Sequence, residues 1–300
     1  MIFTKKLRDT VPNDSVRYLL HKHLSDYQDV RPLSSVHGSS VTKDGGICAR
    51  MYGLADLTGE QEQPEWLTTS QAVTFELGHM LEARLIHWFS DMGFAITNWV
   101  CQSCGTVADF SARPEECYGC GNRMLKPENY RFVSKKTGIS CGIDLMLKRP
   151  AHHLIRILEI KTMDKDEFKE LKAPLAEHRL RTQLYLRCIA ESDDPRAKLI
   201  DTTAATILYT TKGGYGVKDP EMKLWGLHDS FSPFKEFKVL RNDKDLDDMV
   251  EPAKKVLMFR KGLMGLPQHV CPHANVDRAK TCRFKKACFS GDYPAGMNKI

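Results

Sequence analysis

The order of apolar runs predicts an α/β protein, a sheet-and-helix core with metal-stapled pieces appended to it. Three observations carry that prediction. Strand-like runs alternate with helical ones through the middle of the chain, four cysteines stand in two paired knuckles, and three more gather near the end.

Taken in order, residues from about Ser15 to Leu24 read as a helix, followed by the polar loop RPLSSVHGSSVTKDGG. Val73, Leu77, Leu81, Leu85 and Trp88 recur at three- and four-residue steps, one face of an amphipathic helix of roughly sixteen residues. Asp91-Met92-Gly93 ends it, because glycine takes the left-handed conformation that closes helices. FAITNWV then reads as a strand. TGISCGIDLMLKR and HHLIRILEIKTM, on either side of Pro150-Ala151, read as paired strands. A helix through AEHRLRTQLYLRCIAES follows, then a strand at ATILYTT and a turn-rich stretch at Gly213-Gly214. A strand at FKEFKVL and a helix from Asp245 to about Met264 complete the core. The residues beyond are rich in Cys, Lys and Arg and show little periodicity.

Of the 300 residues, 42% are hydrophobic and 27% charged, the balance of a globular chain that holds one large domain or two modest ones. No apolar run approaches the ~18 residues of a membrane-spanning helix, so no membrane partner is expected. The N-terminus, MIFTKKLRDTVPNDS, has basic residues without an apolar run, so no secretory signal is expected and the cytoplasm is the expected compartment. A net charge of +6 and a pI near 8.7 suit a polyanionic partner without requiring one. Ten cysteines in a reducing compartment point to metal ligation rather than to disulfides. No fixed-period repeat is present.

The chemistry centres on Gly142-Ile143-Asp144 and Glu159-Ile160-Lys161. Alternation along a strand puts Glu159 and Lys161 on one face. Carboxylates from Asp144 and Glu159 converging there would hold a hard divalent cation, Mg²⁺ or Mn²⁺, through oxygen. The Lys161 ammonium beside them would stabilise charge growing on a phosphate. An ordinary edge hairpin with solvated charges is the competing reading. Gly78 and Glu82 lie one helical turn apart on the amphipathic helix, where the Glu82 carboxylate would complete a metal shell. His178, Arg181, Gln183 and Tyr185 mark the helix after the hairpin.

Cys101-x2-Cys104-x12-Cys117-x2-Cys120 is a four-thiolate zinc pattern with no open position, hence structural rather than catalytic. It reads as an insertion that either presents Arg113, Arg123 and Lys126 to DNA or serves a purely stabilising role. Cys271, Cys282 and Cys288 form a trio that reads either as chance or as a zinc site completed by His269 or His273. Cys141 and Cys188 read as ordinary core residues. Arg278, Lys280, Arg283, Lys285 and Lys286, with Phe284 and Phe289, form a basic and aromatic cluster suited to a nucleic-acid strand.

The ordered set Cys48-Ala49-Arg50-Met51-Tyr52, Gly78 to Glu82, Gly142 to Asp144, Glu159-Ile160-Lys161 and Gln183-Leu184-Tyr185, ending in a cysteine group, resembles the PD-(D/E)XK nuclease superfamily. The resemblance is to its RecB-like branch, which includes CRISPR-associated and phage recombination exonucleases. It implies a restriction-endonuclease-like core, a mixed central sheet flanked by helices. It further implies a Mg²⁺- or Mn²⁺-dependent DNA exonuclease with Glu82, Asp144, Glu159 and the Ile160 carbonyl at the metal. Lys161 assists water in attacking the phosphate, and Tyr185 with Gln183 or Arg181 positions the strand. Arg181 stands where the family helix carries glutamine. Cys48 with Cys271, Cys282 and Cys288 is implied to hold a [4Fe–4S] cluster, with zinc as the alternative.

The implied partners are linear DNA, at ends or single-stranded, and a recombination or replication protein, in a host cytoplasm if the source is a phage. The chain then divides into an N-terminal helical region with the start of the core (1–98), a zinc-ribbon insertion (99–127), the nuclease core (128–265) and a Cys-rich segment (266–300). Two alternatives stand beside this reading: a non-catalytic zinc and Fe–S module that binds nucleic acid, and an endonuclease on the same fold.

Overall fold

The computed structural model describes residues 16–25, 28–43, 45–60, 62–150, 153–213, 216–226 and 231–290. The N-terminal helix α1 spans Val16–Ser25, and Ser15, where it was expected to begin, lies outside the described residues. Strand β1 (Gln28–Pro32) pairs with β3 (Glu62–Trp66) as a separate ribbon. Between them come β2 (Val36–His37), the short helix α2 (Gly38–Val41) and α3 (Ala49–Thr58). Helix α4 follows at Thr69–Asp91, then strands β4 (Ala95–Cys101), β5 (Val107–Ser111), β6 (Leu125–Glu128), β7 (Tyr130–Val133), β8 (Ile139–Ile143), β9 (Leu145–Leu147) and β10 (Arg156–Met163). Helices α5 (Lys165–Glu170) and α6 (Ala176–Ala190) lead to β11 (Ala204–Thr211). The turn-rich stretch holds β12 (Val217–Lys218), α7 (Glu221–Leu224) and β13 (Phe231–Ser232), with Gly214 outside the described residues. Strand β14 (Phe234–Leu240), helix α8 (Asp247–Arg260) and two short turns, α9 (Asp277–Lys280) and α10 (Lys285–Ser290), end the described chain.

The fold is mixed α/β, as the alternation predicts. The central sheet runs β14-β11-β10-β9-β4-β5, with β6 also on β4. Strands β10 and β11 are parallel, the α5–α6 crossover carrying the chain between them; the neighbouring pairs are antiparallel. A smaller sheet, β2-β8-β7, stands beside it, with β2 parallel to β8. The chain passes between the two sheets through one-residue links, Asn129 from β6 to β7 and Asp144 from β8 to β9. Ile143 ends β8, Leu145 begins β9, and Asp144 is the link.

Helices α3, α6 and α8 cover the smaller sheet, burying Leu54, Phe132, Ile139, Ile143, Leu184 and Val256 almost completely. Helix α4 covers the other core, around Trp99, Leu145, Leu158 and Ile160. Arg260 of α8 locks the first core: its guanidinium meets Asp56 of α3 at 2.8 and 3.0 Å and donates to the Leu33 and Ser34 carbonyls at 2.8 Å each. Bidentate contacts of this kind fix orientation as well as proximity.

Helix α4 is longer than its apolar stripe predicts. A capping box, in which Thr68 and Gln71 satisfy each other's backbone donors, starts it at Thr69; Gly93, at φ 77°, ends it as expected. The stripe itself is turned. Leu85 is buried, but Val73, Leu77 and Trp88 are 44%, 47% and 44% exposed. The reason is Gly78, where an added Cβ would lie 3.2 Å from Thr162 Oγ1 of β10. The helix approaches the sheet on its glycine, and so the face toward the sheet runs Gly78, Glu82, Leu85.

Candidate active site and metal centres

The fork between the two sheets collects the acidic residues. Asp144 sits at the fork, buried, and its Oδ2 accepts the Ile160 N–H at 3.0 Å. Asn129, which sequence reasoning missed, reaches Oδ1 from the link between β6 and β7 at 3.5 Å. Glu159 is 1% exposed. Its Oε1 meets Lys161 Nζ at 2.5 Å, and its Oε2 is buried with no donor. Lys161 Nζ also stands 3.7 Å from Asp144 Oδ2 and donates to the Ile160 carbonyl at 3.1 Å. Glu82 enters from α4, one turn beyond Gly78, and shares its electrostatic surroundings with Asp144, Glu159 and Lys161. One structure thus brings together Glu82, Asp144, Glu159, Ile160 and Lys161.

Burial first, then the Asp144 charge, pushes Glu82 up to about 8. The same two causes push Glu159 up to about 7, although Lys161 pulls the other way. Burial draws the Lys161 ammonium down, but the Glu159 and Asp144 carboxylates outweigh it and hold Lys161 above the ordinary lysine range. It is a fixed cation. The cluster is short of positive charge, and a buried carboxylate oxygen without a donor is the mark of that shortage. A hard divalent cation fits this donor set.

Helix α6 presents His178, Arg181 and Tyr185 at i, i+3 and i+7, one face of a helix. Arg181 bonds Glu177, lowers the neighbouring Glu159, and keeps a buried Nε without an acceptor. Tyr185 is buried against α2, its Cε1 lying 3.2 Å from where a Cβ on Gly38 would be. Burial, then Glu159 and Asp144, keep its hydroxyl protonated. Gln183, two residues on from Arg181 and so on the far side of the helix, donates to the Leu240 carbonyl at 3.2 Å. It is not brought to the cluster. The three-residue and four-residue steps from His178 were the signal that separates Arg181 and Tyr185 from Gln183.

The four ribbon thiols close up. Cys101, Cys104, Cys117 and Cys120 have Sγ atoms all within 4.8 Å of one another, with Cys101–Cys120 at 3.6 Å and Cys104–Cys117 at 3.5 Å. A tetrahedral ion with metal–sulfur bonds of about 2.3 Å wants thiolates about 3.8 Å apart, so this cluster can hold a metal such as zinc. Each knuckle turns back on a left-handed glycine: Gly105 (φ 74°) donates to the Cys101 carbonyl at 2.9 Å and Gly121 (φ 71°) to the Cys117 carbonyl at 2.8 Å. Arg113 stacks on Trp99, and Lys126 pairs with Glu128 at 2.9 Å. Strands β5 and β6 pair with β4, so the ribbon grows out of the central sheet.

Cys48, Cys271, Cys282 and Cys288 line one cavity, with Met51 and Phe284 among its walls. No three of these thiols lie within 4.8 Å of one another, and no histidine completes such a trio among the described residues. His269 Nδ1 is bonded to the Cys271 carbonyl at 2.8 Å, and His273 Nδ1 to the Asn275 N–H at 3.3 Å. The donor set is wider than a single ion's. Arginines hold the segment in place: Arg278 donates to the Gly45 and Gly46 carbonyls at 2.6 and 3.0 Å, Arg50 to the Pro267 carbonyl at 2.9 Å, and Arg283 pairs with Glu60. Two arginines expected to meet a nucleic acid are therefore engaged within the fold, and Phe284, at 4% exposure, is buried rather than open to a base. Cys141 and Cys188 are buried, as expected of core residues.

No protein-family model matches the chain, and no curated protein does. Among solved structures, an alkaline exonuclease (LHK-Exo) from Laribacter hongkongensis is similar at 12% identity and TM-score 0.42, over 77% of this chain and 90% of that one. The same enzyme in complex with dAMP gives 13% identity, TM-score 0.42, and coverage of 77% and 89%. The protein SSO0001 gives 15% identity, TM-score 0.37, and coverage of 81% and 83%. Similarity at this level assigns neither an activity nor a residue. No helix among the described residues is long and apolar enough to cross a membrane.

Two outcomes follow from this geometry. Glu82 and Glu159 bind protons more tightly folded than unfolded, where glutamate titrates near about 4.3. The stabilisation they give is complete below about pH 4 and is lost as pH rises through about 7 and 8. In chelator, the melting temperature should fall between about pH 5.5 and about pH 8.5, less so for Glu82→Gln, and millimolar Mn²⁺ should restore it most at the upper end. A melting temperature indifferent to Mn²⁺ throughout would remove the cation from this cluster. For the ribbon, Cys104→Ser should expose residues 101–120 to proteolysis, mapped by mass spectrometry, while β10 and β11 stay protected. Unchanged protection of 101–120 would show that no metal staples it.

Proposed function

We propose that this chain is a Mg²⁺- or Mn²⁺-dependent deoxyribonuclease of the PD-(D/E)XK superfamily, an exonuclease of the RecB-like branch that works on ends of linear DNA in recombination, replication or repair. The observation that carries the reading is the Glu159 carboxylate, buried at the sheet fork with one oxygen undonated, beside Asp144, Glu82 and a single fixed lysine. Glu82, Asp144, Glu159 and the Ile160 carbonyl would hold the cation. When bound, such an ion polarises the phosphoryl group and makes water acidic enough to attack it.

The remaining work belongs to the chain. Lys161, whose ammonium is paired with two carboxylates, offers positive charge to the developing phosphorane oxygens. Arg181, with its free Nε, binds the strand from α6 in the place the family gives to glutamine. Tyr185 supports the cluster from the same helix face, and Gln183 ties that helix to the end of β14. Within this reading the ribbon (99–127) is a zinc-stapled outgrowth, residues 128–265 with the helices of 1–98 form the nuclease core, and the Cys-rich segment (266–300) is tied through Arg278 and Arg283 to residues 45–60.

The test is cleavage of end-labelled linear DNA with Mg²⁺ or Mn²⁺. Glu159→Gln keeps the shape and removes the charge, so cleavage should drop below about a tenth of the wild-type rate while DNA binding persists. Covalently closed circles should survive; their cutting would move the assignment to an endonuclease. A wild-type protein without Mg²⁺- or Mn²⁺-dependent cleavage would leave a nucleic-acid-binding module.

For the C-terminal segment we infer a [4Fe–4S] cluster on Cys48, Cys271, Cys282 and Cys288. Its support is the shared cavity and a thiol spacing wider than one ion's. Anaerobically purified protein should be brown, with broad absorption near about 400 nm, and Cys282→Ser should bleach it. Colourless protein with two zinc ions and no iron per chain would overturn the assignment.

A further inference from the structure

His178 lies on the α6 face that looks toward the cluster, one turn before Arg181, and its ring feels both Lys161 and Arg181. Its Nδ1 stands 2.8 Å from the Tyr209 hydroxyl. Tyr209 is register partner of Lys161 across the parallel β10–β11 pair, so the two side chains share a sheet face. The Tyr209 hydroxyl is fully buried and accepts the Leu175 N–H at 3.1 Å. A backbone N–H can only donate, so the hydroxyl hydrogen needs another acceptor. Among the described residues His178 Nδ1 is the one within reach. A buried hydroxyl left without an acceptor is costly; hydrogen-bond accounting therefore makes Nδ1 the acceptor and puts the imidazole proton on Nε2. Burial, with the Lys161 and Arg181 charges, holds the ring neutral, its pKa lowered to about 4.

The consequence is a directed N–H. The His178 ring is half-buried, and its Nε2–H has no protein acceptor among the described residues. One turn away, Arg181 Nε is fully buried without an acceptor. That buried donor, the unengaged Nε2–H of the half-buried His178 ring and the Lys161 ammonium suit an oxyanion with several acceptor oxygens. We propose that His178 is a substrate-binding residue whose Nε2–H donates to a non-bridging phosphate oxygen of the DNA strand, with Tyr209 as the positioning residue that sets its tautomer. This rests on the nuclease reading above and names a contact that reading does not contain.

Asparagine and glutamine separate the two ends of the imidazole. In His178→Asn the side-chain oxygen falls near Nδ1, so the Tyr209 hydroxyl keeps an acceptor while the outward donor is gone. In His178→Gln the amide reaches the Nε2 position. With end-labelled linear DNA and Mg²⁺, the glutamine variant should show kcat/KM about tenfold or more above the asparagine variant, both folded by circular dichroism. A ratio near one, or the reverse order, would make His178 a structural residue only and overturn the proposal. Wild-type protein without cleavage would overturn the nuclease reading instead. Independently of activity, ¹⁵N-histidine NMR of the wild type should report His178 as the Nε2–H tautomer, and Tyr209→Phe should lose or mix that signature. A wild-type Nδ1–H tautomer would overturn the assignment outright.

Discussion

One ammonium faces three carboxylates where the two sheets part, and much of the surrounding architecture answers to that imbalance. Buried charge of one sign is tolerated only when it is paired, hydrogen-bonded or neutralised by protons. Each device is visible here. Lys161 pairs with Glu159 and Asp144, the Ile160 N–H takes one Asp144 oxygen, and burial raises the proton affinity of Glu82 and Glu159. Even so, Glu159 Oε2 stays fully buried with no hydrogen-bond donor. An apolar hairpin would have packed more comfortably, so the arrangement makes physical sense as a receptor for a cation.

Much of this was legible in the residues. Period-two alternation placed Glu159 and Lys161 on one strand face, and the strand boundaries of β10, β11 and β14 follow the apolar runs closely. Asp144 as a bridge between sheets was not legible, because it depends on β8 pairing with β2 about a hundred residues away in the chain. The turned stripe of α4 escaped for a related reason. Apolar periodicity counts Val73 and Leu77, whereas the sheet selects the helix face by how closely a backbone can approach, and Gly78 decides that. Helix α3 was missed altogether. Its buried face mixes Ala49, Gly53 and Ala55 with only two large residues, Tyr52 and Leu54, and at Gly53 an added Cβ would meet Leu266 at 2.6 Å. Close packing on small residues leaves little pattern for periodicity to find.

The two cysteine groups differ in the distance scale they impose. The ribbon thiols already stand at the spacing of one tetrahedral ion, fixed by two glycine-turned knuckles that β4, β5 and β6 carry out from the sheet. The terminal group is looser, and its position is set by arginines that reach back to the carbonyls and carboxylate of residues 45–60. Those arginines were candidates for a nucleic-acid surface. Their use inside the fold shows why a basic cluster in sequence is weak evidence for a polyanion: guanidinium groups satisfy backbone carbonyls as readily as phosphates.

A neutral histidine suits this face for a reason of direction rather than of charge. Under the proposed reading, a divalent ion and Lys161 match the charge of Glu82, Asp144 and Glu159, and Arg181 is already paired with Glu177. A neutral N–H supplies direction without adding to that field. The Leu175–Tyr209–His178 chain achieves this with backbone and hydroxyl groups alone, and Lys161 in the adjacent register position keeps the ring from taking a second proton. The same strand pair that presents the cation-binding carboxylate thus also fixes the donor on the other side of the phosphate.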